Sequence, residues 1–206
     1  MDWNCRLGQF VFPELVWRET ASAIHLTFDD GPHSEATPRI LQLLHRYGAK
    51  GTFFLLGENV RTFPQLARRI VLEGHAVGSH GFSHTRLLFR TNKFVLRELE
   101  QTNTEIQRAT GIVPTMFRPP HGQFDWRVPS IAAAQGMRTI LWSVSSKDYA
   151  GVSPTQIVDR LTSRVSGGDI VLMHDNRRTR DVLPSALEQF LQWGQEQKLK
   201  FDSLPS

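Results

Sequence analysis

The sequence predicts an α/β chain folded as a distorted (β/α) barrel of about seven parallel strands with surrounding helices. Three observations carry this prediction. Short apolar runs alternate with segments of helical periodicity, the alternation repeats at least six times, and no linker, repeat or low-complexity tract divides the chain. Parallel neighbours need a crossover, which the intervening helices supply, and so many units in succession favour a barrel over an open sheet.

In chain order, AIHLTF at 23–28 reads as the first strand. Thr37 and Pro38, with apolar Ile40, Leu41, Leu43 and Leu44, open a helix stopped at Gly48. KGTFFLL at 50–56 is the next strand, followed by a helix from about Phe63 to Glu73 that Gly74 ends. HAVGS at 75–79 is strand-like, and a long polar helix runs from about Asn92 to Thr110, closed by Gly111. TMFRPP at 115–120, MRTILWSV at 137–144 and DIVLMH at 169–174 are three further strands. Between them lie helices near Arg127–Gln135 and Pro154–Val165, the second with Ser153 as cap and Pro154 at its first position. A last helix spans about Leu183–Gln197.

At 206 residues the chain is most economically one domain over 23–206, with 1–22 as an N-terminal extension packing on the barrel. No stretch approaches the ~20 apolar residues of a membrane span. The formal charge is +4, but apart from Arg177, Arg178 and Arg180 the basic residues are dispersed, so no stripe follows a phosphate backbone and no nucleic-acid partner is expected. One cysteine, Cys5, excludes an intramolecular disulfide. The opening MDWNCRLGQF lacks a basic n-region and a long apolar h-region, so the chain as written is expected to be cytoplasmic, and a monomer is favoured.

In such barrels the site is built at the carboxyl ends of the strands. Those ends carry Asp29 and Asp30, His80 and His84, Arg118, Asp148 a few residues beyond its strand, and His174. Each has an ordinary explanation when taken alone. The aspartates suit a turn before Gly31, His80 and His84 share a spacing that arises by chance, Arg118 suits a surface ion pair, and His174 suits a core histidine. Together they gather proton-moving and metal-binding groups at one rim, and the adjacent carboxylates are expected to face a cation.

TFDDGPH, SHGFSH, FRPPHG, WSVSSKDY and VLMHD, in that order, resemble the five motifs of the polysaccharide deacetylases of the chitin deacetylase and NodB type, carbohydrate esterase family 4. The resemblance runs from about Ile24 to Asp175 and implies a NodB-like barrel, a divalent metal, usually zinc, and hydrolysis of N-acetyl groups on sugars. It implies Asp30, His80 and His84 as metal ligands, Asp29 as general base, and Arg118 as the residue that orients it. It further implies the His121 backbone N–H as oxyanion donor and His174 as general acid kept cationic by Asp148. Pro119, Pro120 and Gly122 would fix the third-motif loop, and Leu172 would wall the acetyl pocket.

Three positions depart from the family pattern. His121 stands where tyrosine is usual, Ser145 replaces the first aspartate of the fourth motif, and Tyr149 replaces its tryptophan. Tyrosine can still stack on a sugar ring with less area, so the departures bear on specificity more than on chemistry. Of the other histidines, His25, His45 and His75 read as structural and His33 as a candidate support for the ligands. Phe53, Phe54 and Phe117 read as core, Phe82 and Trp126 as rim residues able to face substrate, and Arg177, Arg178 and Arg180 as a solvated loop or a lip for an anionic glycan.

The expected activity is metal-dependent N-deacetylation of an N-acetylglucosamine-containing glycan such as chitooligosaccharide or peptidoglycan. The alternatives are an amidohydrolase acting on a small non-sugar amide in a closed pocket, and a carbohydrate-binding relative without catalysis. Members of the family it resembles are often extracytoplasmic.

Overall fold

The computed structural model describes residues 8–20 and 22–205. Cys5 and the first residues of the expected extension lie outside them. Ile24–Asp29 forms β1, and every residue of it is buried, as expected for a parallel strand with neighbours on both sides and helices on its faces. The further strands are β2 (Thr52–Leu55), β3 (Ala76–Ser79), β4 (Met116–Phe117), β5 (Arg138–Thr139), β6 (Val144–Ser145), β7 (Ile170–His174) and β8 (Phe201–Asp202). The sheet runs β5-β4-β3-β2-β1-β7-β6 with parallel pairing throughout, and β8 pairs in parallel with the start of β1. This is the expected distorted barrel, with β5 and β6 at the two ends of the strand order. Near those edges the N-terminal segment makes single bridges, Val16 to Ile140 and Arg18 to Asp169.

Seven α-helices follow β1: α1 (Ala36–Arg46), α2 (Gly57–Thr62), α3 (Pro64–Leu72), α4 (Asn92–Thr110), α5 (Arg127–Ala134), α6 (Pro154–Thr162) and α7 (Leu183–Glu196). The Thr91 hydroxyl accepts the Phe94 N–H at the start of α4, and Gly111 closes it at φ 79°. Ser153 and Gln156 form a reciprocal capping box on α6. One continuous apolar cluster joins the sheet to these helices, with Leu26, Phe28, Phe53 and Met173 meeting Ile40, Leu44, Leu187 and Phe190.

The sequence and structure differ at four elements. The run 115–120 is strand only at Met116–Phe117, because two successive prolines lack the N–H groups a ladder needs. The run 137–144 is two short strands, β5 and β6, broken at 140–143, where Leu141 N–H turns to the Val16 carbonyl and Ser143 N–H to that of Ile170. The segment before α3 is itself helical as α2, and β8 is a strand with no signal in the sequence, since two residues carry no readable period.

Candidate active site

Parallel register brings the strand ends together. Asp29 lies beside Phe54 of β2 and His174 of β7, while the N–H of His80 donates to Leu55 O and that of Arg118 to Ser79 O. The groups separated by up to 145 residues in sequence therefore share one rim. They border a cavity of about 550 Å³ whose lining includes Asp29, Asp30, His80, His84, His121, Gly122, Tyr149, Leu172 and His174.

Past β1 the chain turns sharply. Asp30 adopts φ 78°, followed by a cis Gly31–Pro32 bond. Gly31 is required here, because a Cβ would stand 2.2 Å from Asp175 Oδ2. The turn aims Asp29 and Asp30 into different environments.

Asp30 Oδ1 lies 3.1 Å from His84 Nε2 and 3.5 Å from His80 Nε2, and one ligand atom from each of the three residues falls within 4.8 Å of the others. That oxygen is buried without a hydrogen-bond partner, whereas Oδ2 accepts from Asn176 Nδ2 at 2.6 Å. His80 Nδ1 sits 2.8 Å from the Arg118 carbonyl, an acceptor only, so in the neutral ring Nδ1 is the nitrogen that carries the proton and Nε2 the one that faces the cluster. Ligand atoms about 2.0–2.1 Å from a tetrahedral ion stand about 3.4 Å apart. One carboxylate and two imidazoles at these separations fit a divalent cation such as zinc and leave coordination positions for reactants. Burial opposes the charge on Asp30, but the neighbouring imidazoles of His80 and His84 hold its carboxyl well below the usual carboxylate range. Burial also works against the charged form of His84, and the Asp30 and Asp29 carboxylates outweigh it, so its pKa rises.

Asp29 has a different partner. Arg118 Nη1 donates to Asp29 Oδ1 at 2.7 Å, and the arginine is fully buried. Three further N–H groups go to Thr27 Oγ1 (2.7 Å), Leu141 O (2.8 Å) and Ile140 O (3.3 Å), and its guanidinium lies 4.1 Å from the Phe54 ring centroid. In place of the surface ion pair that Arg118 alone suggested stands a fully buried cation paired with Asp29. The break at 140–143 has its reason here, since two carbonyls freed from the sheet are what this guanidinium needs.

His174 Nδ1 lies 2.8 Å from Asp148 Oδ1, and its backbone N–H donates to Oδ2 of the same carboxylate at 2.8 Å. Burial lowers the affinity of His174 for its proton, but Asp148, with lesser help from Asp29 and Asp30, pushes the pKa up to about 9. The Tyr149 ring stands edge-on to His174 with centroids 5.3 Å apart, and Lys147 Nζ reaches its hydroxyl at 3.1 Å. Pro119 and Pro120 are buried beneath the third-motif loop, where His121 takes φ 60° and places its ring 4.3 Å from that of His84. Leu172 is 4 % exposed and borders the cavity.

The structure reassigns several residues outside this group. His33 does not support the ligands: its Nδ1 accepts the N–H groups of Glu35 and Ala36 at 3.2 Å and so caps the start of α1. Phe82 packs on Gly57 under the Arg61 guanidinium instead of facing the cavity, and Trp126 is 72 % exposed outside the cavity lining. Asn176 and Trp142, which border the cavity, carried no readable signal, because each is defined by what it touches across the fold.

The family model described as polysaccharide deacetylase matches residues 18–140. The chain belongs to the polysaccharide deacetylase family. Among curated relatives it is 37% identical over 167 residues to the peptidoglycan-N-acetylglucosamine deacetylase PgdA of Listeria monocytogenes, covering 81% of this chain and 35% of that protein. The chain therefore spans about a third of that relative's length. Among solved structures it resembles a peptidoglycan N-acetylglucosamine deacetylase at TM-score 0.91 and 30% identity, covering 96% of this chain and 94% of that one. It also resembles a pseudoenzyme of carbohydrate esterase family 4 from Bacillus anthracis at TM-score 0.85 and 30% identity, covering 93% and 68%. Membership of the family thus leaves catalysis to be argued from the residues.

Proposed function

We propose that this polysaccharide deacetylase domain is a metal-dependent enzyme that removes N-acetyl groups from an N-acetylglucosamine-containing glycan, peptidoglycan or chitooligosaccharide. The observation that carries the reading is the convergence on one cavity of the Asp30 carboxylate with two imidazoles, a second carboxylate hydrogen-bonded to a buried arginine, and an imidazolium held by a third carboxylate.

Asp30, His80 and His84 would hold a divalent ion, which would supply polarisation of the amide carbonyl and a lowered pKa for water. Asp29, oriented by its hydrogen bond from Arg118, takes the proton as water adds to the carbonyl carbon. The backbone N–H of His121, a residue of the cavity lining, is assigned as donor to the resulting oxyanion. His174 then gives its proton to the nitrogen as the C–N bond breaks, which a poor amine leaving group requires, and acetate and a free amino sugar result. Asp148 keeps His174 in the donating form. Leu172 offers the acetyl methyl an apolar wall, and Tyr149, 37 % exposed, offers a sugar ring a face.

The test is acetate release from chitooligosaccharides and from peptidoglycan, with and without chelator. Release that chelator abolishes and zinc restores is expected. Glycan binding without acetate release would make the chain a non-catalytic relative. Release only from small non-sugar amides would make it an amidohydrolase of another substrate class.

A further inference from the structure

Asn176 ties the loop after β7 to the centre of the site. Its Nδ2 holds Asp30 Oδ2, while its Oδ1 accepts the backbone N–H groups of Arg178 at 2.8 Å and Thr179 at 3.2 Å. The Thr179 hydroxyl in turn donates to the His174 carbonyl at 2.5 Å. The three arginines on this loop have different fates. Arg180 is neutralised by Glu35 at 2.7 Å and Asp181 at 3.4 Å. Arg177 and Arg178 are exposed, border the cavity, and make no ion pair among the described residues. The carboxylates in the cavity lining are Asp29 and Asp30, and both are committed, one to Arg118 and the other to the imidazoles and Asn176.

From this we infer that Arg177 and Arg178 form a carboxylate-recognising lip that selects an acidic glycan over a neutral one of the same backbone. The inference rests on the glycan deacetylase reading for its substrate and on the loop geometry for its charge. A solvated loop would leave its arginines unpaired too, but it would not be anchored through one side chain to a candidate metal ligand. A guanidinium presents a planar fork that pairs bidentately with a carboxylate. The carboxylate can come from a lactyl ether on the sugars or from peptides attached to them, and the recognising chemistry is the same.

The experiment is calorimetric binding by the zinc-loaded protein, alongside acetate release. Four probes are used: a neutral β-1,4 N-acetylglucosamine hexamer, a peptide-free strand of equal length with lactyl carboxylates on alternate sugars, its methyl ester, and a strand that keeps its peptides. Acidic strands are expected to bind about tenfold more tightly than the neutral hexamer at low salt, the sum of two modest exposed pairs. The difference should vanish on esterification and at about 1 M salt, and should be lost in R177Q/R178Q and inverted in R177E/R178E. Zinc content of each variant, by elemental analysis, shows that the site is still formed. A preference confined to the peptide-bearing strand assigns the carboxylate to the peptide and supports the lip. Equal binding of acidic and neutral strands, binding of neither, or a preference that survives charge reversal overturns it. Selective acidic binding without acetate release would sink the deacetylase reading and leave the lip standing, whereas equal turnover of all strands does the reverse.

Discussion

Arg118 and Asp29 form an ion pair from which solvent is excluded, with Nη1 and Oδ1 2.7 Å apart and side-chain exposures of 0% and 4%. Removing one member of such a pair strands the other as a buried charge. Arg118→Met is expected to destabilise the fold by about 3–5 kcal/mol, read as a lowered urea midpoint at unchanged slope. A loss below about 1 kcal/mol would mean that Asp29 finds its counter-charge elsewhere.

Asp29→Asn keeps the hydrogen bond from Arg118 and removes the basic oxygen. Metal content should be unchanged while acetate release falls by about 10²–10⁴-fold. Turnover near that of the wild type would take the general-base role away from Asp29.

The metal cluster has a graded test. His80→Ala or His84→Ala should leave dialysed protein without metal by elemental analysis. Asn176→Ala, which touches only the far oxygen of Asp30, should weaken metal affinity by about 10–100-fold without abolishing it, measured by competition with a chelating dye. Full metal retention in the histidine variants would place the ligands elsewhere.

His174 carries the pH dependence. Its pKa in the folded chain, about 9, lies above the ordinary 6.5, so the fold favours the protonated ring. The stability this contributes is complete below pH 6.5 and is lost as pH rises through about 9. In metal-free protein the His174 ring protons should titrate near 9 by NMR, and Asp148→Asn should bring the midpoint back toward 6.5. The stability advantage of the wild type over that variant should shrink between pH 6.5 and 9. A midpoint unmoved by the substitution would remove Asp148 from this role.

What the sequence disclosed follows from where chemistry meets periodicity. Asp29, Asp30, His80, Arg118 and His174 were legible because each ends or closely follows an apolar run, and parallel strands bring such ends together. The long helix Asn92–Thr110 was legible because its stop is local, at Gly111. The break at 140–143 was hidden because its cause is a guanidinium from another strand that takes the carbonyls of Ile140 and Leu141. Asn176 was hidden for the same reason, and so was the true task of His33, since an imidazole capping a helix and one steadying a ligand look alike in one dimension.

Three residues at the cavity, Asp30, His84 and His121, hold left-handed backbone angles of 78°, 58° and 60° without being glycine. Such angles cost a side-chain-bearing residue of order 1 kcal/mol each, so the pocket is assembled against the local preference of its own chain. Glycine at any one of them would make the polypeptide more comfortable and the chemistry poorer. Were selection on the reaction ever relaxed, these are the positions at which drift would be rewarded first, and a descendant sturdier than its ancestor would be the sign that it had happened.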